Sequence, residues 1–275
     1  MKMIKKITIS FLALLGTVAI ANAGPVFLTG HDPDFHAQDN AGAANLLSIG
    51  LNYAASGQAF DSTTKFLWVE SNLAVPGGHR FGRNALTGAL GLTLGTHFDH
   101  VDAAGLASID FSNYEAIAIA SNFGGMLSRA ELDALIGRSA DIATFINAGG
   151  GLFASSECDN CGADLLGASP NLFGFLPVDV TSIAANPPFS VTGFGASLGL
   201  VNSDLNSPTH NSFGVIGGLN IVDTDASGNA TTLAGVVNVS DGGFIPTNVP
   251  EPGTILLMGL GLAGLLGLGR RQRRR

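Results

Sequence analysis

The stretch that decides the fold runs from Phe123 to Glu157, FGGMLSRAELDALIGRSADIATFINAGGGLFASSE. Ser128 and Glu131 stand at the spacing of a capping box, so a helix is expected to begin there. Leu132, Leu135, Ile136, Ala143 and Ile146 then recur at helical intervals, and Gly149-Gly150-Gly151 ends the segment. Leu152 to Ala154 returns as a strand and runs into SSECDNCG. Just upstream, Ala116 to Ala120 is a continuous apolar run of the kind a sheet buries on both faces. Strand, helix and strand in that order, with short connections, predict parallel pairing.

The same alternation extends towards the N-terminus. Val26 to Thr29 reads as a first strand, Ala41 to Ser56 as a helix stopped by Gly57, Lys65 to Glu70 as a second strand and His97 to Val101 as a third. A weaker helix is expected around Asn84 to Leu92, interrupted by Gly88 and Gly91. Trp68, the sole tryptophan, is expected in the core. Beyond Leu165 prolines separate short strand-like runs at Phe189 to Thr192, Asn220 to Asp223 and Thr231 to Val239, while Asn202 to Phe213 reads as a polar loop. The expected architecture is α/β, a flavodoxin-like three-layer sandwich with a mostly parallel sheet and added C-terminal strands. Residues 24–245 would form one domain, with a spacer from Asp241 to Asn248. The segment Phe123 to Glu157 also resembles proteins of the class I glutamine-amidotransferase-like fold, including trehalose-utilisation-like members. That resemblance implies a reactive residue at the elbow after the strand, here Ser155 or Ser156, and no cysteine is centred there in a G-x-C-x-G pattern.

Both ends of the chain carry transport signals. Lys2, Lys5 and Lys6 precede an apolar run from Ile7 to Ile20 and then Ala21-Asn22-Ala23, so residues 1–23 read as a signal peptide. At the other end, residues 246–275 contain Pro250-Glu251-Pro252, an apolar run from Ile255 to Leu268, and Arg270, Arg271, Arg273, Arg274 and Arg275. This order resembles the PEP-CTERM sorting signal. The resemblance implies an exosortase-type processing enzyme as partner, a transient membrane helix, and a place at the cell surface or outside the cell after cleavage. The apolar run is short for a full span, and the arginines hold its end on the cytoplasmic side.

Removing these segments leaves Lys65, Arg80, Arg83, Arg129 and Arg138 against twenty acidic residues, a net charge of about −15. Such a body repels phosphate backbones, which excludes nucleic acid as a partner. It suits a soluble surface or matrix protein, with an extracellular polysaccharide as the candidate ligand.

Three groups of side chains are candidates for chemistry. His31, Asp32, Asp34 and His36 crowd the loop after the first strand, offering nitrogen and oxygen ligands for a divalent metal such as zinc, manganese or calcium; a surface loop solvating its charges is the alternative. Ser156 would supply a nucleophile and His210 its base, with Glu157 or Asp32 orienting the imidazole, for hydrolysis of a sugar or amide. Cys158 and Cys161 are the only cysteines and read as a short structural disulfide in an exported protein, rather than an exchange-active or zinc-binding pair. His97, Asp99, His100 and Asp102 surround a strand, and Asp223, Asp225, Ser227 and Asn229 read as a polar hairpin turn. Two functions stay open: an exported ligand-binding module, and an exported hydrolase of the amidotransferase-like fold.

Overall fold

The computed structural model describes residues 23–156, 165–166, 172–176, 182–205, 211–214, 217–240 and 243–247. The chain begins with β1 (Gly24–Thr29), α1 (Pro33–His36), α2 (Ala41–Ala54), β2 (Phe66–Val69), α3 (Gly82–Gly88), β3 (Phe98–Val101), α4 (Ala103–Leu106) and β4 (Ala116–Ile119). It continues with α5 (Arg129–Gly137), α6 (Ser139–Asn147), β5 (Gly151–Ser155), β6 (Ser182–Ala184), β7 (Ser190–Val191) and α7 (Gly193–Ser197). The last strands are β8 (Asn211–Phe213), β9 (Asn220–Thr224), β10 (Ala230–Ser240) and β11 (Gly243–Pro246).

Among the described residues the strands form one eleven-stranded sheet with the order β3-β2-β4-β5-β1-β10-β8-β6, to which β9 and β11 add on β10 and β7 on β9. The first five strands pair in parallel. Every pairing that involves β6 to β11 is antiparallel. The sheet is therefore mixed, which corrects the expectation of a mostly parallel one. Its cause is β10, eleven residues long, which lies along all six residues of β1 in the opposite direction.

Helices cover both faces of the parallel half. Phe27 packs near Tyr53 of α2, and a Cβ on Gly50 would strike Phe153 and Phe27, so these residues share one face. Gly24, three residues before Phe27, lies on the opposite face, where a Cβ would run into the carbonyl of Ile146 in α6. The core between these layers is aliphatic and aromatic, with Phe27, Phe66, Trp68, Phe98 and Phe153 fully buried.

Local sequence accounts for the helix boundaries. Asn40 Oδ1 accepts from the backbone of Gly42 at 2.8 Å and Ala43 at 3.2 Å and so starts α2. Glu131 accepts from Ser128 N at 3.2 Å, and its other oxygen takes Ala103 N at 3.0 Å, so one carboxylate serves the starts of α5 and α4. The helix expected to run unbroken from Ser128 is instead two, α5 and α6, divided at Arg138 (φ −111°, ψ 17°). There the guanidinium donates to the carbonyls of Leu106 and Ile109 at 2.9 and 2.7 Å and lies 4.0 Å from the Phe111 ring, contacts that favour the break over helical continuity.

Two other expectations change. The spacer at Asp241 to Asn248 contains β11, which pairs with β10 through Pro246, so the folded body reaches Thr247. The polar stretch Asn202 to Phe213 contains a 3₁₀ turn at Asn202–Leu205 and strand β8. The tightest point between layers is Gly151, where a Cβ would fall 1.7 Å from the carbonyl oxygen of Ala54. Gly151→Ala is expected to destabilise the protein by about 2 kcal/mol or more, measured by urea denaturation; a change within experimental error would mean that α2 is not held this closely.

Candidate functional site

In the parallel half, β3 lies on one side of β2 while β4 and β5 follow on the other, so the winding reverses between β2 and β4. Ligands of open α/β sheets gather beyond the carboxyl ends of strands at such a reversal. The residues there are Glu70 and Ser71 after β2 and Ser121 and Asn122 after β4, all buried. Asp34, from α1, reaches across from the end of β1, and its Oδ2 accepts from Ser121 N at 2.9 Å.

Glu70 occupies the start of α3. Its carboxylate accepts from Gly82 N and from Arg83 Nη1, the latter at 3.0 Å. Gly82 and Gly125 press against Asp34: a Cβ on Gly82 would lie 3.0 Å from Asp34 Oδ2, and one on Gly125 2.4 Å from it. The same Gly82 position is 2.7 Å from Trp68 Cζ2, which sets the indole beside Asp34. Asp34 Oδ1 and Trp68 Nε1, an acceptor and a donor, have no hydrogen-bond partner among the described residues. Two polar atoms in this condition mark the place where a water or a ligand hydroxyl would be stabilised.

Burial dominates the electrostatics. It pushes the Asp34 carboxyl above its ordinary range, against the opposing hydrogen bonds from Ser121. It also pushes Glu70 up to about 7, with Arg83 and the Gly82 amide acting against it and Asp34 adding to it. Burial lowers the His100 imidazole, and Arg83 lowers it further. His100 Nε2 donates to the Glu70 carbonyl at 2.8 Å.

The segments next to these groups in the chain are more open. Phe35, Phe81 and Phe123 are half-buried. The Arg80 guanidinium sits 4.7 Å from the Phe35 ring, Arg83 is 3.7 Å from Phe81, and His79 meets Phe123 edge-on at 5.5 Å. The loop carrying His79 and Arg80 is anchored by Arg80 N to the Gly124 carbonyl and by His79 Nδ1 to the Gly125 carbonyl. Its tip exposes Leu73 and Val75.

The expected metal set does not come together. His31 turns towards the added strands, its Nε2 3.1 Å from Asp223 Oδ1. Asp32 and His36 pair with each other at 3.4 Å, and Asp34 goes to Ser121. Among the described residues no group of three His, Cys, Asp or Glu side chains converges as a metal site. Ser156 N donates to the Thr29 carbonyl, and Ser156 Oγ accepts from Asn211 Nδ2 at 3.2 Å. Glu157, Cys158, Cys161 and His210 lie outside the described residues, as do Pro250-Glu251-Pro252 and the C-terminal arginines. Asp225 closes the polar hairpin turn, accepting from Ser227 N and Asn229 N at 2.9 and 2.8 Å.

Sequence reasoning missed Glu70, Arg83 and Ser121. They belong to no motif, yet Glu70 and Ser121 are each the first polar residue after a wholly apolar strand, FLWV and AIAIA, and that is the usable signal. Grooves of about 500 and 460 Å³ lie elsewhere, the first at Asp110, Tyr114 and Glu115 where the parallel strands begin, the second between α2 and β10.

Residues 248–275 match the PEP-CTERM protein-sorting motif, over all three parts of the C-terminal signal. The chain therefore carries the tail of an exported protein sorted by an exosortase, a membrane enzyme. Against the curated proteins and the solved structures the chain gives no significant match, so the amidotransferase-like reading of the body finds no counterpart. No helix among the described residues is long and apolar enough to cross a membrane, and the run from Ile255 to Leu268 is outside them.

The raised carboxyls fix the sign of a pH effect. Glu70 binds its proton more tightly in the folded chain, so its favourable contribution is complete below its unfolded value of 4.5 and is lost as the pH rises through about 7. Stability is expected to fall by roughly 3 kcal/mol over that interval, and Glu70→Gln should flatten the slope in denaturant titrations at several pH values. An unchanged slope in that variant would assign the effect elsewhere.

Proposed function

We propose that this chain is the precursor of an exported, exosortase-processed protein whose α/β body binds a polysaccharide at the cell surface or in the extracellular matrix, without catalysis. The observation that carries the reading is the edge around Asp34, Glu70 and Ser121, where two buried carboxyls and an indole N–H adjoin segments that carry the half-buried rings of Phe35, Phe81 and Phe123. Sugar rings present apolar C–H faces to aromatic side chains while their hydroxyls seek carboxylates and amides, and this edge offers both. The strand order supports a flavodoxin-like winding: β2, β3, β4 and β5 lie in the order 2-1-3-4 of such sheets, and β1 stands where the fifth strand would.

Processed protein recovered from the surface should be retarded in affinity electrophoresis by the polysaccharide of the producing cells. Phe81→Ala and Phe35→Ala are each expected to weaken that retardation by about tenfold. Full retention in both would reject this edge as the contact. Mass analysis should place the C-terminus of the processed protein ahead of Ile255, and recovery of a chain ending in Arg275 would refute processing.

A hydrolase reading is supported by one contact, the Asn211 to Ser156 hydrogen bond, because His210 is the residue before Asn211. In it Ser156 is the nucleophile, His210 its base and Glu157 the orienting group. Turnover of sugar esters or amides that disappears in both Ser156→Ala and His210→Ala, with folding intact, would favour this reading over the binding one.

A further inference from the structure

The two ends of the folded body leave from the same place. Val237 of β10 is paired with Gly24 of β1 on one side and with Pro246 of β11 on the other. Adjacent strands are about 4.8 Å apart, which sets Gly24 and Pro246 about 10 Å from each other. Thr247 then donates its N–H and its hydroxyl to the Val236 carbonyl, both at 3.2 Å, so the chain is held up to that residue. Gly24 begins the first of the parallel strands, so this exit lies at the pole where those strands start. The edge with Asp34, Glu70 and Ser121 lies at the pole where they end.

The length of the connection to the membrane limits how the body can turn. Seven residues, Asn248 to Thr254, separate Thr247 from the apolar run, and fully extended they span about 25 Å. The roughly 220 residues between Gly24 and Thr247 make a globule about 45 Å across. A connection shorter than the body's diameter does not let the far pole reach the bilayer. The expected signal peptide ends at Ala23, next to Gly24, so attachment through either end imposes the same orientation.

We propose that the membrane-held precursor keeps the strand-start pole against the lipid surface and presents the opposite, ligand-binding edge outward before cleavage. This inference rests on the sorting reading of the tail and is independent of which ligand the edge takes. The pole that faces the lipid carries Asp61, Asp110, Glu115 and Asp141, while its cations Lys65 and Arg138 are engaged by Asp99 at 2.7 Å and Asp141 at 2.9 Å. An anionic bilayer repels such a surface, so the tail alone retains the body and its removal is sufficient for release.

The test uses the full chain, tail intact, in vesicles of phosphatidylcholine and phosphatidylglycerol. An encoded azide is placed at exposed Gln58 or Asn113 on the membrane-facing pole, or at exposed Gly77 or Ser227 on the other, and reacted with a bulky cyclooctyne-polyethylene glycol. Reaction at Gln58 and Asn113 is expected to be several-fold slower than in the processed soluble protein, with Gly77 and Ser227 unchanged. Equal rates at both poles, or slowing at Gly77 and Ser227 instead, would overturn the orientation while leaving the sorting reading intact. A full chain that does not associate with the vesicles would overturn both.

Discussion

The pairing of β1 with β10 is the constraint on which the other features depend. Six consecutive residue pairs, Gly24 with Val237 through Thr29 with Thr232, join the first strand of the body to one of its last. On its other side β1 pairs in parallel with β5. One short strand, buried along its whole length, thereby couples a parallel α/β half to an antiparallel extension. Contacts of this sequence separation carry a large loop-closure cost, which is offset only when the whole apolar strand GPVFLT is buried at once. The polar continuation of the strand is held just as firmly: Thr29 Oγ1 lies 3.0 Å from Thr232 Oγ1, and Gly30 N donates to the Thr231 carbonyl.

That coupling decides which polar side chains meet. The chain leaving β1 sends His31 towards Asp223 of β9 and Asp34 towards Ser121 of the parallel half, so residues three apart in sequence serve different clusters. Asp223 Oδ1 also accepts from Thr231, which ties the His31 side into a buried network, although Asp223 Oδ2 lacks a partner among the described residues. On the Asp34 side an acceptor and a donor, Asp34 Oδ1 and Trp68 Nε1, both lack partners among the described residues. A buried polar atom without a partner costs on the order of 1–3 kcal/mol, and a fold retains such a cost where a bound molecule offsets it. The Asp34 cluster leaves both an acceptor and a donor without partners, where Asp223 leaves a single acceptor, and a ligand hydroxyl needs both, so the Asp34 cluster is the better place for one.

The parallel half was legible because its signals are local. Apolar runs at Val26, Phe66 and Ala116 and the caps at Asn40 and Ser128 need no tertiary information, and the strands and helix starts fall where they point. Arg138 breaks its helix through carbonyls thirty residues away, which periodicity cannot register. The sequence of β11 reads as a spacer because GFIP gains strand character only from its partner β10. The direction of β10 is likewise unreadable from its own composition, since an apolar strand buried along most of its length looks the same in parallel and antiparallel pairing. The dense loop from His31 to His36 drew attention by composition, yet side chains this close in sequence diverge when one is on each side of a short helical turn. Glu70 and Ser121 are single polar residues in different segments, and only the sheet brings them together.

The tail and the body are legible in different ways because they are recognised in different states. The tail is matched as a sorting motif through its tripeptide, apolar run and arginines, so its meaning resides in composition and order along the sequence. The body acts through surfaces assembled from distant segments, and its meaning appears only after β1 has been clamped between β5 and β10. The two meet at Thr247, whose N–H makes the last backbone hydrogen bond of the sheet among the described residues, three residues from Pro250. Cutting at the tripeptide therefore leaves every sheet pairing among the described residues intact.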